Sequence, residues 1–191
     1  MKGQMKREVD IALIHYPVIG KAGEIIGSAV TNLDIHDIAR VARTFGVDRY
    51  FIVTPYADQQ KLVQEIIDHW QNGHGSRYNP ARKSAFDIVR LADSLDNVIE
   101  KVSIERKSKP VLVTTSANFQ ENSISYGNAR RRIENGEPSL LIFGTAHGLA
   151  LEITEKADYT LPPIGGLTEY NHLSVRSAVS IVCDRLLGVQ N

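Results

Sequence analysis

The side chains that most often carry out chemistry are present in this chain, but not at the spacings of the common catalytic motifs. His15, His36, His69, His74, His147 and His172 are scattered with no metal-ligand spacing, so no metal site is expected. A lone cysteine, Cys183, excludes an internal disulfide and a Cys-based zinc centre, and its neighbours Ile181, Val182 and Leu186 mark it as a packed helix residue. There is no Walker lysine motif, no G-x-G-x-x-G behind the first strand, no G-x-S-x-G elbow and no HExxH. What remains is backbone chemistry. The turn Gly144-Thr145-Ala146-His147-Gly148-Leu149 follows the apolar run Leu140–Phe143, and Pro162-Pro163-Ile164-Gly165-Gly166 breaks a second run, Tyr159-Thr160-Leu161. Strand ends turned sharply by Gly or Pro can face a ligand with N–H and C=O groups, which suits something flat and polar such as an adenine nucleoside. Tyr170-Asn171-His172-Leu173-Ser174 then opens a final helix.

Holding such turns in place requires a buried sheet and the helices that cover it. Val9–His15 is a near-continuous apolar run of strand length, the pattern of a parallel strand covered on both faces. Arg49–Thr54 and Pro110–Thr115 read as further buried strands, and Val98–Val102 as a peripheral one. Between the first strand and its helix lies a long Gly-spaced loop through Gly20, Gly23 and Gly27. Thr31-Asn32-Leu33-Asp34 offers a capping box for a helix that stops at Gly46, with Ile35, Ile38, Ala39, Ala42 and Phe45 as its buried stripe. Asp58–Trp70 is amphipathic, Asn79 and Pro80 begin another helix, and Ser125–Asn135 carries an Arg130-Arg131-Arg132 run read as solvated or dimer-facing. The last helix is expected from near Asn171 to Gly188, with Val175, Ala178, Val179, Val182 and Leu186 inward. The pattern predicts one α/β domain over 1–191, a mostly parallel sheet flanked by helices.

Composition narrows the partners. No run approaches the roughly 18 apolar residues of a membrane span, and the charged first ten residues lack a signal-like core, so a cytoplasmic protein with no membrane partner is expected. Lys+Arg and Asp+Glu both total 22. A neutral chain can hold nucleic acid only through local patches, a dimer groove or a partner. One such patch is Asn72–Lys83, a Gly-flexible segment in which Arg77, Arg82 and Lys83 interleave with Tyr78. Lys101–Lys109, also basic, reads as a solvated turn.

Phe143-Gly144-Thr145-x-x-Gly148-Leu149, then Leu161-Pro162-x-Ile164, then Asn171-His172-Leu173-Ser174-Val175-Arg176-Ser177-Ala178 resemble, in letters, order and spacing, the second and third motifs of the SPOUT (α/β-knot) RNA methyltransferases. The chain is most similar to their TrmD-related stand-alone single-domain group. A first motif lies near Asn32: Arg40 stands six residues before Gly46, as that motif's Arg does, while Asp34 occupies the motif's Asn position. The resemblance implies a deep C-terminal trefoil knot, S-adenosylmethionine bound in it, a homodimer, and methyl transfer to tRNA or rRNA without a metal.

The resemblance also implies a set of site residues. Cofactor contacts fall on Thr114, Ser116, Gly144, Thr145, Gly148, Leu161, Pro163, Ile164, Asn171, Leu173 and Ser174. Around the acceptor it places Arg40 as anchor, with Glu169, His172 and Asp34 as the titratable groups. Of these His172 has the most suitable ordinary pKa, about 6.5. Asn32, Arg77, Arg82 and Lys83 are the expected RNA contacts, and a shared site is expected if Arg40 of one copy faces the cofactor loops of the other. Ala146-His147 replaces the acidic residue usual in the second motif, and Asn171 stands where the guanine-N1 branch has an Asp. A different class therefore stays open beside the enzyme: a SPOUT-fold subunit or sensor that binds S-adenosylmethionine without catalysing.

Overall fold

A computed structural model describes residues 7–117, 120–168 and 170–189. The chain starts with β1 (Val9–Ile14), then a two-rung antiparallel ribbon of β2 (Val18–Ile19) and β3 (Ile25–Ile26), then α1 (Asn32–Thr44) and β4 (Arg49–Val53). Next come α2 (Ala57–Gln71), α3 (His74–Tyr78), α4 (Pro80–Phe86), β5 (Val89–Ala92), α5 (Leu95–Arg106) and β6 (Val111–Thr115). The last third holds α6 (Tyr126–Glu134), β7 (Ser139–Gly144), α7 (Leu151–Thr154), β8 (Tyr159–Leu161) and α8 (Val175–Leu187). The main sheet has the order β5-β4-β1-β7-β6-β8, and every neighbouring pair is parallel.

Each central strand is apolar on both faces because each face meets a helix layer. Ile11, Leu13, Tyr50, Ile52, Leu141 and Phe143 pack under α1, α2, α4, α6 and α8 on one side. Ala12, Ile14, Phe51, Val53, Leu140 and Ile142 meet α5 and α7 on the other. Cys183 sits in the first of these layers, and burial pushes its thiol up to about 12, leaving a packing group rather than a nucleophile.

Several expectations fail here. Val98–Val102 is helical, part of α5, and the peripheral strand is Val89–Ala92 instead. The β-branched residues there suggest a strand, but Ser94 caps the segment by accepting from the Asn97 amide at 3.2 Å, and Leu95, Val98 and Val102 share one buried helical stripe. The basic stretch from Lys101 is correspondingly helix as far as Arg106, ending on Lys107 in the left-handed region at φ 57°. Within Asn72–Lys83, read as a loop before the next helix, α3 occupies His74–Tyr78, while Asn79 and Pro80 start α4 as expected. Finally, α8 starts at Val175, later than the Asn171 expected, because the Ser174 hydroxyl caps it by accepting from the Ser177 amide.

At the N-terminal ends of the strands an ion cluster ties sheet to helix. Arg49 donates from Nε and Nη2 to the two carboxylate oxygens of Asp10, at 2.7 and 2.8 Å, and Arg106 from α5 reaches Asp10 at 3.1 Å and Asp48 at 2.6 Å. The arginine run of α6 is also used internally: Arg130 donates to Glu134 and to the Arg185 and Gly188 carbonyls, and Arg132 pairs with Glu137. A cleft of about 680 Å³ lies at this end of the sheet, lined by Arg7, Arg130 and Gly188; Arg7 donates to Leu187 O and Glu134, and Arg130 to Gly188 O.

Candidate functional site

Parallel strands bring their C-terminal ends to one edge of a sheet, and ligands of open α/β sheets bind outside that edge. Here β7, β6 and β8 are consecutive neighbours, so the loops after Gly144, Thr115 and Leu161 emerge side by side. The loop after β7 is the most constrained. A Cβ on Gly144 would stand 2.9 Å from the Leu149 amide nitrogen, and Gly148 sits at φ +119°. Only glycine lets this turn fold back on itself. Its outer side is clasped by β2: the Ile19 amide donates to Gly148 O, the His147 amide donates to Ile19 O, and Val18 bridges Leu149.

The other two loops are pinned to each other and to α6. Asn171 donates from its side-chain amide to Ala117 O at 3.0 Å, and the Tyr126 hydroxyl donates to Pro162 O at 3.2 Å. Thr114 is fully buried, and its hydroxyl meets that of Thr160 at 2.8 Å, joining β6 to β8 beneath the loops. The Thr114 side chain thus faces the neighbouring strand, while Ser116, Pro163 and Ile164 lie in the loops above it. Leu161 is buried at the end of β8, and Leu173 and His172 are exposed, with Tyr170 edge-on to His172 at 5.3 Å. Ser174 is committed to capping α8.

Thr145 is tied into a relay that its motif did not reveal. Its hydroxyl donates to Ile14 O at 3.0 Å, so the 2.5 Å contact between Thr145 Oγ1 and Ser28 Oγ has Ser28 as donor. Ser28 then accepts, at 3.0 Å, from Nδ1–H of His15. That tautomer leaves His15 Nε2 with a lone pair, buried and without a partner among the described residues. Burial pushes the His15 pKa down to about 4, partly opposed by the charge of Asp34, so the ring is neutral at pH 7.

The sign of the resulting pH dependence follows from proton counting. Between about pH 6.5 and 4 the unfolded chain protonates this imidazole and the folded one does not, so stability falls as the pH drops through that window. The loss approaches about 3 kcal/mol by pH 4 at about 1.4 kcal/mol per pKa unit. His15→Asn is expected to remove this component, read as a smaller drop in urea midpoint between pH 7 and 4.5 than wild type shows. Parallel curves would show that His15 does not carry it.

The N-termini of α1 and α8 meet beside these loops. Thr31 caps α1, accepting from the Asp34 amide at 3.1 Å, and its hydroxyl donates to Asp34 Oδ2 at 2.6 Å, so the Asp34 carboxylate reaches the cap's hydroxyl; Asn32 is the first helical residue and is exposed. The other carboxylate oxygen of Asp34 takes Arg176 Nη1 at 2.6 Å, and Arg176 also approaches Asp37 at 3.5 Å. Asp34 is therefore engaged as a bridge between α1 and α8, an ion pair that neither motif alone announces. Arg40 lies further along α1, exposed, one turn beyond His36. That face turns toward α4, away from the Asp34 and Arg176 pair: His36 packs edge-on against Trp70 and Phe86, and Arg82 lies 4.6 Å over the Trp70 ring. Burial and then Arg82 hold the His36 pKa below its ordinary value. Arg77 and Lys83 are exposed on α3 and α4. Glu169 lies outside the described residues.

A parallel α/β sheet with turns gathered over adjacent strand ends, closed by a returning C-terminal helix, is also the fold of solved SpoU methyltransferases. The SpoU methyltransferase AviRb from Streptomyces viridochromogenes, solved in complex with the cofactor AdoMet, shares the fold at a TM-score of 0.59 and 17% identity, over 95% of this chain and 57% of that one. The chain belongs to the SAM-dependent RNA methyltransferase family, whose sequence profile matches residues 8–188. It is 42% identical over 185 residues to an uncharacterized protein of Aquifex aeolicus, covering 96% of this chain and 90% of that one. It is 41% identical over 182 residues to a protein of Oleidesulfovibrio alaskensis named tRNA (guanine-N(1)-)-methyltransferase. That match takes 95% of this chain but 42% of the relative, so the chain spans about two fifths of that protein's length. Among the described residues no helix is long and apolar enough to cross a membrane.

Proposed function

We propose that this chain binds S-adenosylmethionine over the ends of β7, β6 and β8 and transfers its methyl group to tRNA or rRNA in the cytoplasm. The observation that carries the reading is the Gly144 turn, folded back so closely that a Cβ would stand 2.9 Å from Leu149 N, and set beside two other loops whose backbones are fixed by Asn171 and Tyr126. In this reading the backbone at Gly144, Leu161, Ile164 and Leu173 holds the donor, with Thr145, Gly148, Ser116 and Pro163 around it. S-adenosylmethionine supplies a methyl already activated by its sulfonium charge, so the protein has to align donor and acceptor and take up the acceptor's proton. Asp34 is occupied by Arg176 and Thr31, which leaves His172, exposed at the mouth of the loops, as the described group best placed for that proton. Arg40, always charged, anchors phosphate or ribose. The guanine-N1 activity in the relative's name is that of a protein more than twice as long and is not carried over; tRNA is the RNA class it suggests.

Two structural proposals go with this reading. The chain from β8, at the sheet edge, returns to place α8 against α1 and α6, passing the loop after β6 where Asn171 meets Ala117; this is the course a trefoil knot requires. A homodimer would form over the outer surfaces of α1 and α8, where Leu33 and Leu173, 60% and 47% exposed, flank the Asp34 and Arg176 pair. Two-fold closure is the commonest way to bury such a patch.

The test is incorporation of labelled methyl from S-adenosylmethionine into total tRNA and rRNA, with calorimetry for cofactor binding. His172→Ala is expected to lower turnover by about 10²–10⁴-fold, the usual contribution of a general base, with cofactor affinity largely kept. Equal loss of both would make His172 a cofactor-site residue. Absence of cofactor binding by the wild-type chain would overturn the reading.

A further inference from the structure

The face built by the C-terminal end of α2 with α3 and α4 is more elaborate than helix packing needs. Trp70 is half-buried beneath the Arg82 guanidinium, with His36 and His69 edge-on to its ring at 5.3 and 5.0 Å. Beside it α3 is pressed onto the end of α2. A Cβ on Gly73 would stand 2.8 Å from His69 O, and one on Gly75 would stand 2.8 Å from the His69 and Trp70 rings. That close seat turns α3 outward and leaves Tyr78 80% exposed, with the His74 ring near-parallel to it at 6.5 Å and 22°. A tyrosine so exposed gains nothing from burial in the fold. Around it stand Arg77 and Lys83, which form no ion pair with a described residue, and no carboxylate occurs between Asp68 and Asp87. In a chain with no net charge, this is a local excess of positive charge with open ring faces at its centre.

We propose that this face is the docking platform for an unpaired stretch of the RNA, with one base stacked on Tyr78 and the flanking phosphates held by Arg77, Arg82 and Lys83. The inference rests on the methyltransferase reading above and specifies the form in which its RNA is presented. A duplex keeps its base faces stacked inside the helix and would meet only the cations, whereas a single strand can use the ring and the cations together. Arg82 is fixed over Trp70 by cation–π attraction, so its N–H groups are presented at little entropic cost. An acidic peptide would satisfy the cations but leaves the stacked His74 and Tyr78 pair without a partner.

Trp70 is the only tryptophan in the chain and lies directly under Arg82, so its fluorescence reports on the platform. The protein is titrated with a single-stranded oligoribonucleotide of about ten residues, within the usual site size for such surfaces, and with a duplex of the same length. A saturable change with the single strand, at least about tenfold tighter than with the duplex, is expected. Tyr78→Ala is expected to weaken single-strand binding about tenfold or more, the scale of one base–aromatic stack. Arg77→Ala and Lys83→Ala each lower the slope of log affinity against log salt by about 0.7. Binding of S-adenosylmethionine to Tyr78→Ala, measured by calorimetry, stays at the wild-type value, which separates failure of the platform from failure of the cofactor site. The exposed position of Tyr78 keeps the variant folded, and an unchanged urea midpoint verifies it. Equal binding of duplex and single strand, an unaffected Tyr78→Ala, or equally tight binding of an oligoglutamate peptide would overturn the proposal.

Discussion

Asp10→Ala is expected to lower the stability of this protein by about 3–5 kcal/mol, the usual cost of breaking a buried ion pair from one side. Asp10 is 1% exposed on central strand β1, and its two oxygens take three donors from Arg49 and Arg106. Burial alone would pull the Arg49 pKa down, but the hydrogen bonds and charge of Asp10 more than offset it, and the net shift is upward. Without Asp10, two guanidiniums whose side chains are 8% and 9% exposed keep only the more exposed carboxylates of Glu105, Asp48 and Glu8, and Arg106 Nε has no partner among the described residues. For a chain of this size the midpoint temperature should fall by about 10 °C or more. Glu105 is the control: it also pairs with Arg49, but its carboxylate is 63% exposed, so Glu105→Ala should cost less than about 1 kcal/mol. Replacing Asp10, Arg49 and Arg106 together with apolar residues should recover most of the loss, because the penalty comes from uncompensated charge rather than from a missing attraction. Urea unfolding of the three variants decides it, and an Asp10→Ala midpoint equal to wild type would refute the argument. The cluster lies at the opposite end of the strands from the loops proposed to hold the cofactor, so the stability loss is separable from binding.

That cluster also shows what the sequence alone conveyed and what it withheld. The central strands were legible because a strand buried on both faces is apolar at nearly every position, as Leu140–Phe143 is throughout and Val9–Ile14 is apart from Asp10. The Thr31 cap of α1 was legible because it is local. The run Val98–Val102 misled because β-branched residues favour strands only where the surroundings are pleated, and here the Ser94 cap and one-sided burial give a helix. Contacts that join distant parts of the chain left no trace in any local pattern. Thr145 meets Ile14 O from 131 residues away, and Arg176 meets Asp34 from 142. The spacing of the first motif placed Arg40 on α1 but could not say that Asp34, one and a half turns earlier, is spent on α8 while Arg40 shares a face with His36 beside Trp70. Type and spacing thus indicated the backbone turns after the strands, whereas the orientation of the side chains near them depends on which helices meet.

The sharpest functional expectation concerns a backbone position with no room, Gly144. Gly144→Val is expected to reduce affinity for S-adenosylmethionine by about a hundredfold or more, since 2.7 kcal/mol corresponds to that factor and the turn loses its geometry rather than one contact. Even the first atom added, the Cβ, would stand 2.9 Å from Leu149 N, 3.0 Å from Leu149 Cγ and 3.1 Å from Gly148 C. Two of these three are backbone atoms, so the clash cannot be relieved by a rotamer change. Opening the turn would pull Gly148 from its bond with the Ile19 amide and Thr145 from Ile14 and Ser28, so the disturbance would reach β2 and His15. The fold should survive, because the sheet register of β7 is set by Ser139 to Phe143 against β1 and β6, below the turn. Gly127→Ala serves as the control. Its Cβ meets nothing within 4 Å in α6, and alanine there favours the helix, so cofactor binding should stay at the wild-type level and stability should hold or rise slightly. Calorimetric titration of both variants, with far-ultraviolet circular dichroism to verify folding, distinguishes the cases. Wild-type affinity in a folded Gly144→Val protein would place the cofactor somewhere other than this turn.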